Sequence, residues 1–283
     1  MRTLAPQPLW PTAHLSVFIN QWHCVPPGRY TPDLYKKWMA SFGWLDNPLV
    51  VFTDTEEIAQ YFRQLRTRYP TSRTTVIVLK RDELWAFQLA KEIQAVFSQP
   101  GYPKHPPNTI NPLYSCAMHA KFELVQRVIL QQLYQTRYVA WLDIGLFRAE
   151  AKKTKTIHLT APVDFDRQRV AYHQVNSFSN VTAKDVVWRN KVWVGGASFL
   201  ATPEVAFVYC SEYRRAVRKL LDMKIMSTDQ QVREAMYACL NCTHVPCVCV
   251  CLCSDPSIGQ LVILIFFCVC MACLFDWSVD QLK

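Results

Sequence analysis

The segment Trp141-Leu142-Asp143-Ile144-Gly145 ends an apolar run with a carboxylate. The pattern of that run buries the position of Asp143, and a buried, unpaired charge is costly. Asp143 must therefore be held by a local partner or face a ligand, with a divalent ion among the ligands a carboxylate can hold. Capping of the turn after the strand is an alternative of equal weight. An earlier apolar run, Pro48–Thr53, ends in the same way at Asp54. A third candidate is Gly195-Gly196 in VWVGGASFL, where two glycines inside a strand pattern call for a close approach to the backbone, by a ligand or through a bulge. Asp229, in STDQQ, stands at a helix start, either as a cap or as an acid or base presented to the same cleft. Lys121, in CAMHAKFELV, lies on a long helix and could offset the charge of a diphosphate, while a solvated Lys and a satisfied core His119 are the ordinary alternatives.

These residues need elements to position them. Thr31-Pro32-Asp33 reads as a helix start running to about Phe42. Apolar and β-branched runs predict strands over 48–53, 74–80, 137–143, 170–175 and 192–200. Helical spacing predicts helices after Asp54/Thr55, over 82–97, over 112–132 and over 203–223, and a last one capped by Ser227 or Thr228 with a glutamine three residues on, as in a capping box. This alternation implies an α/β domain over residues 30–240. Its sheet would be mostly parallel with helices on both faces, and its ligand would bind at the carboxyl ends of the strands. Residues 1–29 read as an irregular segment with one short strand, His14–Asn20.

Composition narrows the class. The chain has 283 residues, 51% apolar and 19% charged, which excludes a disordered chain. Only seven glycines occur, and neither GxGxxG nor GxxxxGK[ST] is present. The net charge of +9 suits an anionic ligand, although solubility alone accounts for it. The basic residues are scattered and no nucleic-acid-binding pattern accompanies them, so no nucleic-acid partner is expected. Nine of the twelve cysteines lie between Cys239 and Cys273. Residues 241–283 form a Cys-rich apolar tail whose CVCVCLC run is what a GTG-TGT repeat encodes, which reads as a translation artefact. The competing reading is a membrane span over 258–275, at the short limit of length. With that span the chain would be membrane-associated, in the Golgi or another secretory compartment.

The stretches YTPDLYKKWMASFGW, YPKHPPNTINPLYSCAMHAKFELV, YVAWLDIGLFR, VWVGGASFLAT and MSTDQQV resemble the HtrL/YibB family, a group of glycosyltransferase-like proteins of bacteria and animals. The resemblance covers about Tyr30 to Leu240. It implies a GT-A-like fold, that of nucleotide-diphospho-sugar transferases, and transfer of a sugar from a nucleotide-sugar donor to a carbohydrate or glycan acceptor. Enzymes of that type place an Asp-x-Asp at the strand end, gripping the donor and a Mn²⁺ or Mg²⁺ ion. Here Asp143 matches the first acid, as donor and metal contact, and Gly145 replaces the second. The resemblance further implies donor contacts from Lys121, Gly195, Gly196 and Asp54, with Asp229 as the acid or base beside Asp143. A non-catalytic carbohydrate- or protein-binding module on the same fold is the alternative.

Overall fold

The computed structural model describes residues 15–21, 31–148, 154–162, 165–240 and 247–250. Seven strands form one sheet in the order β3-β2-β1-β4-β6-β5-β7. They are β1 (Leu15–Gln21), β2 (Leu49–Thr53), β3 (Thr74–Val78), β4 (Tyr138–Leu142), β5 (Val170–Gln174), β6 (Val194–Ala201) and β7 (Cys247–Val250). The ladders β1–β2, β1–β4, β2–β3 and β5–β7 are parallel. Strand β6 runs antiparallel to both β4 and β5. The fold is thus mixed α/β, and the expectation of a mostly parallel sheet holds for direction but misses this reversed strand. The boundary drawn at residue 30 also leaves out β1, which lies between β2 and β4.

Alternation along the strands divides the core between the two faces of the sheet. Val50, Phe52, Val139 and Trp141 pack into one apolar cluster; Leu49, Val51, Tyr138, Ala140 and Leu142 pack into the other. The first cluster is covered by α3 (Trp85–Gln88), α4 (Ala90–Phe97), α5 (Pro112–Gln131), α7 (Pro203–Asp222) and α8 (Asp229–Ala235). The second lies under α1 (Pro32–Met39) and α2 (Glu56–Leu65). A short helix, α6 (Ala183–Trp188), starts at Thr182, whose hydroxyl accepts from the Asp185 N–H. It joins the first cluster and was not expected from the sequence.

Several boundaries differ for local reasons. The first helix ends at Met39 and tightens into a 3₁₀ turn over Ala40–Trp44. The helix expected over 82–97 is broken into a 3₁₀ turn and two α segments. Glu123 takes part in the break by accepting the Trp85 and Ala86 N–H groups. The capping box at Thr228 does not form. The Ser227 and Thr228 hydroxyls donate instead to the Gln231 side chain, which in turn donates to Asn190 and the Lys191 carbonyl. Among the described residues no helix is long and apolar enough to cross a membrane. The segment 258–275 lies outside the described residues.

Arg66 pins the 3₁₀ turn to the edge of the sheet. Its guanidinium is buried and donates to the carbonyls of Phe42, Leu45 and Asn47 and to the Thr74 hydroxyl, and it stacks over Tyr69. Burial lowers its pKa to about 10, which leaves it charged at neutral pH. Arg66→Ala leaves these acceptors without a donor and is expected to cost about 3 kcal/mol in urea unfolding. Arg66→Lys, with one compact ammionium in place of a planar fork, recovers less than half of that loss.

Candidate functional site

The carboxyl ends of the parallel strands form one edge, and the start of the reversed β6 meets it. The Asp143 N–H, just beyond β4, donates to the Ala197 carbonyl at 2.7 Å. The two preceding carbonyls of β6 accept from side chains: Gly196 from Lys121 Nζ at 2.9 Å and Gly195 from Arg233 Nη1 at 3.1 Å. Three consecutive carbonyls thus find three different donors where β6 leaves the β4 ladder, which ends at the pair Leu142–Ser198.

Lys121 stands at the centre. From the middle of α5 it sends its ammonium to Asp143 Oδ2 (2.9 Å), Asp229 Oδ2 (3.3 Å) and the Gly196 carbonyl (2.9 Å). Its side chain is 1% exposed. An ammonium has three hydrogens, and three oxygens face this one. Asp229 is also buried, at 3%, and its Oδ2 takes a second cation, Arg233 Nη2, at 2.9 Å. Arg233 further donates to the Asp229 carbonyl and lies over the Tyr172 ring. Burial is the largest influence and opposes its charge, yet the Asp229 carboxylate together with Tyr172, Tyr209 and Tyr213 outweighs it and raises the pKa. Asp143 is the acid that reaches the surface, at 28% exposure, with Oδ1 fixed by Trp141 Nε1 at 2.7 Å.

The structure therefore brings together Asp143, Asp229, Lys121, Gly195 and Gly196. Asp54 sits on the same edge at the end of β2, paired with Arg81, whose Nε lies 2.6 Å from Asp54 Oδ2. The register places β2 and β4 on either side of β1, so Asp54 and Asp143 are about 12 Å apart, two strand spacings across and two residues along. The role expected of the glycines changes. A Cβ on Gly196 would lie 3.1 and 3.3 Å from the Asp229 oxygens, so the group approaching that backbone is the protein's own carboxylate. A Cβ on Gly195 would meet His173 and Val175 at ordinary contact distance.

Two site residues escaped the sequence reading. Arg233 was signalled by its i,i+4 spacing from Asp229 on one helix face. Trp141 was signalled by lying two residues before Asp143, on the same face of the strand. Beneath them His119 Nδ1 lies 2.7 Å from the Tyr213 hydroxyl. Burial lowers the His119 pKa to about 4 and raises that of Tyr213, so at neutral pH both the imidazole and the hydroxyl are uncharged.

Residues 12–231 match the family described as "Bacterial protein of unknown function (HtrL_YibB)". The chain belongs to the HtrL_YibB family. No curated protein matches it. The Mn²⁺ or Mg²⁺ ion implied by the GT-A resemblance does not fit the donor set of this HtrL_YibB chain. Gly145 supplies no second acid, and both Asp143 oxygens already face protein donors. Among the described residues no group of three His, Cys, Asp or Glu side chains could hold a metal.

Two outcomes are expected. Gly196→Ala pushes against a carboxylate that Lys121 and Arg233 hold in place, and is expected to cost about 1–3 kcal/mol in urea unfolding; Gly195→Ala stays within about 1 kcal/mol. For His119, the unfolded chain protonates near its ordinary value of 6.5 and the fold only at about 4. Stability therefore falls as pH drops through that window, by about 2 kcal/mol between pH 7 and pH 5. Urea titrations at the two pH values should show this difference, and His119→Gln should remove most of it.

Proposed function

We propose that the chain transfers a sugar from a nucleotide-sugar donor to a carbohydrate or glycan acceptor, on a GT-A-like sheet. The observation that carries this reading is Asp143: a carboxylate at the end of a parallel strand, immobilised by Trp141 and Lys121 yet partly open to solvent. Open α/β sheets bind ligands at the carboxyl ends of their strands. A carboxylate there suits the hydroxyls of a ribose or a sugar. In the transfer, the bond from the anomeric carbon to the diphosphate breaks, the acceptor oxygen bonds to that carbon, and the acceptor's proton leaves to a base. Asp143 is the acid placed to touch the ligand. Asp229, enclosed by two cations, positions Lys121 and the β6 backbone from behind.

With the Lys121 hydrogens directed at protein oxygens, the diphosphate charge falls to Arg81. Its side chain is 28% exposed, and the guanidinium keeps hydrogens beyond those facing Asp54. The enclosure of Asp229 favours one competing reading, a carbohydrate-binding module without turnover. Calorimetry of the full chain against a panel of nucleotide sugars tests both. At least one donor is expected to bind with submillimolar affinity, weakened tenfold or more by Asp143→Asn and by Arg81→Ala. Slow release of nucleoside diphosphate from that donor supports transfer, and binding without any release favours the module. Absence of heat from every donor at millimolar concentration rejects the transferase reading.

A further inference from the structure

Two carboxylates and a carbonyl converge at the carboxyl edge: Asp143 Oδ2, Asp229 Oδ2 and the Gly196 oxygen. Such an oxygen set could hold a divalent cation, which would take its ligands at about 2.1 Å for Mg²⁺. The Lys121 ammonium occupies that place, 2.9, 3.3 and 2.9 Å from the same three atoms. Two cations cannot share it. We propose that Lys121 is a built-in cation standing where a divalent metal would sit, so that this site takes its anionic ligand without a metal ion.

Independent features agree. The position two residues beyond Asp143 is Gly145, so the strand end offers one acid where a metal would want two. Arg233 lies on Asp229 from another direction, so two cations balance two carboxylates and little net negative charge remains to attract a divalent ion. The ammonium is also unable to leave. Its stem is buried in α5, whose flanking residues Ala120 and Phe122 are themselves fully buried. A covalently attached cation does not exchange with solvent and responds to neither chelators nor metal supply.

The inference rests on the donor-site reading only where a donor is measured; its ion-binding arm stands apart. Mn²⁺ binding to the full chain is followed by the electron paramagnetic resonance of the free ion. The wild type is expected to show no Mn²⁺ site that Asp143→Asn removes. Lys121→Ala is expected to gain one site, at least tenfold tighter than any in the wild type, and Lys121→Ala/Asp143→Asn to lose it again. If Lys121→Ala unfolds when metal-free, millimolar Mn²⁺ should restore its cooperative melt and an equal ionic strength of NaCl should not. A wild-type Mn²⁺ site dependent on Asp143 overturns the proposal. So does failure of Mn²⁺ to restore either binding or folding in Lys121→Ala. Wild-type donor affinity should agree within twofold in EDTA and in Mn²⁺, and a tenfold gain with Mn²⁺ likewise overturns it. A wild type that binds no donor removes the transferase reading while leaving the ion comparison intact.

Discussion

Taking the Lys121 ammonium out of water costs several kcal/mol, and that cost is offset only where good geometry replaces the lost hydration. Three oxygens from three separate elements supply it: Asp143 beyond β4, Asp229 at the start of α8 and Gly196 in β6. The helix that carries Lys121 is thereby tied to the reversed strand and to α8. The Asp143 carboxylate gains its orientation from the same contact, with Trp141 fixing its other oxygen. Order at the sheet edge follows from satisfying one buried charge.

The surroundings show what that charge demands. Gly196 has no side chain because the Asp229 carboxylate occupies the space a Cβ would need. Arg233 must accompany Asp229, since two acids, one of them buried, beside a single ammonium would leave one negative charge uncompensated. Under this layer the rings of Phe122, Tyr213 and Phe199 pack together, Phe122 against Tyr213 at 3.5 Å between centroids. Neutral His119 hydrogen-bonds to Tyr213 and keeps the floor of the site uncharged.

The strands were legible because β-branched runs such as Thr74–Val78 and Leu49–Thr53 carry their own signature. The direction of β6 was not. Its residues satisfy a buried strand of either polarity, and only the pairing of Leu142 with Ser198 decides between them. The site was legible as a set of residues, since carboxylates and glycines at element ends stand out against an apolar background. Their mutual contacts were not, because Lys121 reads as a solvated or ligand-facing cation until α5 is seen to aim it inward. The capping-box pattern at Thr228 misled for a related reason. Gln231 found better partners in Asn190 and Lys191, some forty residues earlier in the chain, than in its own helix end. Short helix α6 was missed because its six residues, under two turns, carry too little periodicity to register.

Strand β1 has a consequence for how the chain is made. It pairs with β2 on one edge and with β4 on the other, and its residue Leu15 meets Tyr138. A ribosome releases the β2 partner within a few seconds of β1, but the opposite partner, β4, follows only about 120 residues after β1, at about 5–20 residues per second. Throughout that interval an apolar strand from the first part of the chain presents unpaired backbone groups, the kind of edge that recruits other chains. The central place of β1 thus makes the order of emergence from the ribosome a part of the chain's folding problem.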